Sequence, residues 1–208
     1  MTASFEHFAV WRATEEAPKP DVSFVPPLDR RRLTGVERAA LSVAWQVKSD
    51  AELPVVFASR WGEIGVTVKL MKQFHADGEM SPAGFSASVH NAAPGAFSLL
   101  TKNHAPYPAI AARERSLEAG LLEALAMRRE TIFVYAEEAT PEFYLSEFGK
   151  PQPACAVAVR ISVDRHPAAS ARSVTFRHED LPPAPFEDFV ALLRGQAPSF
   201  QTADLLLA

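Results

Sequence analysis

The stretch SPAGFSASVHNAAPGAFSLLTKNHAPYPAIAARERSLEAGLLEALA, from Ser81 to Ala126, decides how the chain is read. Pro108 to Ala112 is a short apolar run of the kind that forms a buried strand. Ser116 to Met127 places Leu117, Leu121, Leu122 and Leu125 on one side of a helix. Between them the chain turns sharply through Ala112-Arg113-Glu114-Arg115-Ser116. Enzymes often mount a nucleophile on such a strand–turn–helix unit, because the turn lifts one side chain clear of the sheet. Here the elbow offers two arginines and a glutamate. Ahead of the strand, Ala93 to Lys102 reads as a helix whose start is restricted by Pro94 and Gly95.

Working outward, FEHFAVW (Phe5 to Trp11) alternates as a first strand, followed by a connection rich in proline. Thr34 with Glu37 three residues on forms a capping box. The helix it opens runs to about Lys48, with Ala40, Leu41, Val43, Ala44 and Val47 at helical spacing. Pro54 to Ser59 is a buried strand. Trp61-Gly62 makes a turn, and Glu63 to about Ala76 is helical, with Val68, Leu70, Met71 and Phe74 expected on its inner face. TIFVYA (Thr131 to Ala136) and ACAVAVRISV (Ala154 to Val163) are strands, separated by a loop holding Pro141, Pro151 and Pro153. Arg172 to Phe176 allows a further strand. Leu181 to Pro185 is a rigid linker, Phe186 to Leu193 a short helix, and the tail ends in Leu205-Leu206-Leu207. The order predicts an α/β fold: a mixed, mostly parallel sheet covered by helices, with one of the last two strands antiparallel. Residues 1–208 read as a single domain, and 177–208 as its linker, short helix and tail.

Composition narrows the function. The chain has 208 residues and a formal charge of -4, from 21 Lys+Arg against 25 Asp+Glu, with no basic face for nucleic acid. The triplet Arg30-Arg31-Arg32 reads as a solvated or ion-paired corner. A single cysteine, Cys155, excludes an internal disulfide and a Cys-rich zinc site, and fits a reducing cytoplasm. The N-terminus MTASFEHFAVWRATEE does not resemble a signal peptide, and no apolar run is long enough to span a bilayer. With 9 glycines against 17 prolines, a glycine-rich phosphate cradle is not expected.

Motifs of chemistry are absent. The histidines at 7, 75, 90, 104, 166 and 178 are scattered, and there is no HExxH, CxxC, Walker, GxGxxG or GxSxG pattern. Cys155 lies inside an apolar strand, where a thiol acts as a small hydrophobe. His90-Asn91 could face a cavity; alternatively Asn91 shapes a turn and His90 bonds to backbone. His104 is a loop residue. Glu137-Glu138 follows a strand end, where α/β proteins bind ligands, although such pairs more often start a helix or lie at a solvated edge.

Several segments together carry a resemblance. RRRL (Arg30 to Leu33), FASRWGE (Phe57 to Glu63), MSPAGFSASVHNAAPG (Met80 to Gly95), NHAPYPAIAA (Asn103 to Ala112), SLEAGLLEAL (Ser116 to Leu125) and IFVYAEE (Ile132 to Glu138) cover most of residues 1 to 163. The combination resembles the N-terminal domain of β-ketoacyl synthases. It is most similar to a short, divergent branch associated with aryl polyene and xanthomonadin-type pigment clusters. The resemblance implies half of a thiolase-like fold, no cofactor, and a strand at Asn103 to Ala112 lying at a subunit interface. In that family the elbow carries an acyl-accepting cysteine, and two further catalytic groups come from a C-terminal half. Laid on that pattern, the nucleophile position falls at Arg113, within about one residue. Arg113 and Glu114 cannot form a thioester, Ser116 falls in the helix without a base, and the chain stops at Ala208.

An intact elbow without a nucleophile resembles a chain-length factor, which pairs with an active ketosynthase and helps to wall its acyl tunnel. Phe85, His90, Asn91, Phe97, Arg113 and Glu114 are the candidate tunnel or interface residues, with no catalytic residue and no metal. The run Ala92 to Leu100 either forms an apolar interface or packs in its own core. Two other functions stay open. One is an enzyme using unrecognised residues, such as His90 with Asp77 or Glu79. The other is an acyl-chain or acyl-carrier-protein binding module with Arg30, Arg31, Arg32, Arg113 and Arg115 as its dock. Homodimerisation of the isolated chain also stays open.

Overall fold

The computed structural model describes residues 2–140, 142–145, 152–164, 171–176, 179 and 181–208. Pro141, Pro151, His166 and His178 lie outside the described residues. The strands are β1 (Thr2–Arg12), β2 (Val55–Ala58), β3 (Ala109–Ile110), β4 (Thr131–Glu137), β5 (Cys155–Asp164), β6 (Arg172–Phe176), β7 (Phe200–Gln201) and β8 (Leu205–Leu207). Among the described residues they form one eight-stranded sheet, in the order β3-β2-β4-β5-β1-β6-β8-β7. The helices are α1 (Pro27–Arg30), α2 (Gly35–Val47), α3 (Ile64–Asp77), α4 (Pro82–Ser86), α5 (Ala92–Thr101), α6 (Ser116–Ala126) and α7 (Phe186–Leu193).

The period-2 alternation of the central strands builds two core layers. Val55, Phe57, Ile132, Val134, Ala136, Ala156 and Ala158 face α2 and α5. Val56, Ala58, Phe133, Val157 and Val159 face the other way, onto Leu117, Leu121 and Leu125 of α6 and Phe189 and Leu192 of α7. With helices on both faces, β2 is buried throughout, as its unbroken VVFA run requires. α2 begins as expected: the Thr34 hydroxyl accepts from the Glu37 N–H at 3.1 Å, and the Glu37 carboxylate accepts from the Thr34 N–H at 2.7 Å.

Two expectations need correction. The sheet is mixed but mostly antiparallel: β2 pairs in parallel with β3 and β4, and all the other pairings are antiparallel. A parallel neighbour needs a crossover element. β5 instead pairs antiparallel with β4, and β1 inserts antiparallel between β5 and β6.

The second correction concerns α3. Leu70 is buried, but Met71 and Phe74 are 63% and 53% exposed. The helix packs on α4, where a Cβ at Gly84 would come within 2.9 Å of Leu70.

The tail carries β7 and β8. β8 pairs with both β6 and β7, and the turn between β7 and β8 is held to α6 by Glu118, which accepts from the Asp204 N–H at 2.8 Å and from the Thr202 hydroxyl.

α5 lies where the sequence placed it, with Ala93, Pro94 and Phe97 buried and Leu99 84% exposed. Pro94 sits in its first turn, where the missing N–H has no helical partner to lose. Among the described residues, no helix is long and apolar enough to cross a membrane.

Candidate functional site

The carboxyl ends of β1, β2, β3 and β4 meet the start of β5 along one end of the sheet, the end at which α/β folds bind ligands. The elbow stands there. Backbone hydrogen bonds from Phe57 N to Pro108 O (3.0 Å) and from Ser59 N to Ile110 O (3.2 Å) hold β3 against β2. The chain then reverses at Arg113, whose φ of 55° lies in the left-handed region. A non-glycine residue held there costs about 1–3 kcal/mol unless its surroundings enforce it.

Ser116 supplies the enforcement. Its hydroxyl accepts from the Ala112 N–H at 2.9 Å and donates to the Arg113 carbonyl at 2.7 Å. The side chain is 1% exposed. The hydroxyl that the sequence singled out as the nearest nucleophile therefore closes the elbow. Arg113 itself points into solvent, 88% exposed.

Glu114 ties the elbow to the β2 loop, accepting from Arg60 at 2.6 Å. The Arg60 guanidinium lies 4.3 Å from the Trp61 ring centroid, and Trp61 stacks on Tyr144. The loop is in turn fastened by Glu137. Its carboxylate accepts from the Ser59 hydroxyl at 3.0 Å, from the Arg60 N–H, from the Trp61 N–H at 3.4 Å and from the Tyr135 hydroxyl. Burial pushes its pKa up to about 6, against the pull of those donors. Four donors fill a carboxylate's acceptor sites, so Glu137 acts as a fastener and has no lone pair left for a general base. Beside this knot opens a cavity of about 340 Å³, walled by Arg12, Arg60, Trp61, Tyr135, Cys155 and Phe186. Burial pushes the Cys155 thiol up to about 12, far from a reactive thiolate.

The other residues read from the sequence fall in different places. The His90 Nε2 lies 3.0 Å from the Ile110 carbonyl, so it carries the ring proton and donates; the backbone alternative is the one observed. The ring rests against Gly62, where a Cβ would come within 2.4 Å of Nδ1. Asn91 caps α5 with backbone alone and is exposed. Phe97 is core, 3% exposed between α2 and β2, and is not brought to the elbow. Phe85 lies 59% exposed on α4. Asp77 and Glu79 are exposed at the far end of α3. His104 is exposed, and its N–H donates to Glu52. The basic dock is thinned, because Arg30 donates to the Ser23 and Val25 carbonyls, and Arg115 to Glu118 and the Leu181 carbonyl. Among the described residues, no group of three or more His, Cys, Asp or Glu could hold a metal.

Sequence reasoning missed Ser59, Arg60 and Tyr135. Ser59 and Arg60 lie within the FASRWGE segment, so their presence was legible but their partner Glu137, 78 and 77 residues away, was not.

The chain belongs to the β-ketoacyl synthase N-terminal domain family, whose profile matches residues 6–186. Its fold is that of a thiolase-like ketosynthase half. A chain in the complex of the ketosynthase ApeO with its chain length factor ApeC, from Xenorhabdus doucetiae, superposes with a TM-score of 0.79 at 20% identity. That match covers 100% of this chain and 98% of the other. PksG, an HMG-CoA synthase from Bacillus subtilis, gives a TM-score of 0.44 at 12% identity, over 93% of this chain and 49% of that one. A search of curated proteins finds no match.

Proposed function

We propose that this chain is a non-catalytic, chain-length-factor-like subunit that pairs with an active ketosynthase in the cytoplasm during acyl-chain elongation of the aryl polyene type. The observation that carries the reading is Arg113. It occupies the left-handed position of a closed elbow in a ketosynthase-family domain, where it can accept no acyl group. The solved complex of similar fold supports the pairing, since its matched chain is nearly the same length as this one. Met71, Phe74, Met80 and Phe85 on and around α3 and α4 are exposed apolar side chains available to a partner. The partner's acyl tunnel is walled in part by these side chains, and an acyl carrier protein delivers the chain to the partner's cysteine.

Phe85 tests the tunnel role without disturbing the fold. In a reconstituted pair, Phe85→Ala lengthens the product if it closes the tunnel end. A mutant that alters yield while chain length stays fixed reduces the subunit to a scaffold. Phe97→Ala is unsuitable as a test, since emptying a buried phenylalanine site costs about 3–5 kcal/mol of stability.

A further inference from the structure

α3 is joined to the body in an unusual way. No residue of α3 belongs to either core layer, and its buried Leu70 packs on α4 rather than on the sheet. What fixes the helix is polar and sits at its base. Glu63, the N-cap residue, is 3% exposed and accepts from the Thr34 hydroxyl at 2.9 Å. Glu138, from the end of β4, accepts from the Gly65 N–H. Its carboxylate is wedged between the first turns of α2 and α3. A Cβ at Gly35 would stand 3.3 Å from it, and one at Gly65 2.9 Å. Glu37 completes the group from α2.

We infer that α3 and α4 form an arm latched to the body by a carboxyl cluster in which Glu63 holds a proton, and that loss of this proton releases the arm. Three buried or half-buried carboxyls cannot all ionise together without strong repulsion. The groups facing Glu63 are all accounted for by element. α2 presents Glu37, with Arg38 beside it, β4 presents Glu138, and His90, at the start of α5, contacts Gly62 next door. Burial, then the charges of Glu37 and Glu138, pushes Glu63 up to about 8, and burial also raises Glu37 and Glu138. The latched state therefore binds the proton more tightly than the released state. The latch is strongest at low pH and weakens as pH rises from the ordinary carboxyl value through about 8, where the effect levels off.

Hydrogen–deuterium exchange on the full chain tests this without a partner, so its outcome is independent of the pairing proposed above. Rates are divided by the intrinsic chemical rates at each pH to give opening ratios. For amides of residues 66–77 the ratio should rise by about tenfold per pH unit at the limit between pH 6 and 8, while peptides of β4 and α6 stay unchanged. Glu63→Gln, which stays neutral and keeps the hydrogen bond, should flatten the dependence. A flat wild-type profile, or the wild-type slope retained in Glu63→Gln, overturns the inference. Carbon-13 NMR of the wild-type glutamate carboxyls needs no variant. One resonance should titrate near pH 8, and the absence of any titration above pH 7 would overturn the latch.

Discussion

Arg113 holds a backbone conformation that its own side chain does not favour, and Ser116 holds it there through two hydrogen bonds to the turn. On the proposed function, such a turn, which presents an arginine to solvent, is an elbow without an acyl-accepting atom. The isolated chain treated with an acyl thioester should show no adduct on residues 112–116 by intact mass and peptide mapping. Stoichiometric acylation there contradicts the reading. Gly120 is constrained on the opposite side of the elbow helix, because an added Cβ would stand 2.5 Å from the Ala58 Cβ and 2.7 Å from Phe133. Gly120→Ala should therefore destabilise the fold by about 1–3 kcal/mol through overpacking, outweighing its gain of up to about 1 kcal/mol in helix propensity. Chemical denaturation measures this, and an unchanged or raised midpoint would show that α6 can shift outward.

β3 is the element on which assembly should turn. Pro108 and Ile110 direct their carbonyls to β2, so the backbone groups of Ala109 between them point to the open edge. Ala109→Pro removes the outward N–H and leaves the β2 pairing in place. It should weaken association with a ketosynthase at least tenfold in analytical ultracentrifugation, with circular dichroism unchanged. Equal association would move the interface elsewhere. Ile110→Asp should act in the same direction, by burying a carboxylate without a partner. The elements were unequally legible. α2 was, because its signals are local: a capping box followed by apolar residues at helical spacing. The inner face expected for α3 was right at Leu70 and wrong at Met71 and Phe74, because apolar periodicity marks a face without saying what covers it, and those two stay mostly exposed within the described chain. The antiparallel pairing of β4 with β5 was legible, because the sequence between them offers no helical pattern, whereas the insertion of β1 between β5 and β6 and the β7–β8 hairpin were hidden. Strand alternation records which side is buried but not the direction of the neighbour, and a three-residue leucine run is too short to carry a period.

At the scale of the molecule, the family profile spans most of the chain, and the two core layers close without help from α3 and α4. The elbow, the fastened β2 loop and the open β3 edge lie together at one side of a stable body. The candidate site was legible in part: the strand–turn–helix elbow around Arg113, and the alternative in which His90 bonds to backbone. The fastening role of Glu137 was not legible, since it rests on contacts across more than seventy residues of chain. Native mass spectrometry of this chain mixed with a candidate partner ketosynthase, after exposure to an acyl thioester, addresses pairing and chemistry together. The account predicts a complex with equal copies of both chains, in which the acyl group is carried by the ketosynthase chain alone. An acyl group on this chain's elbow, or the absence of any mixed species, would contradict it.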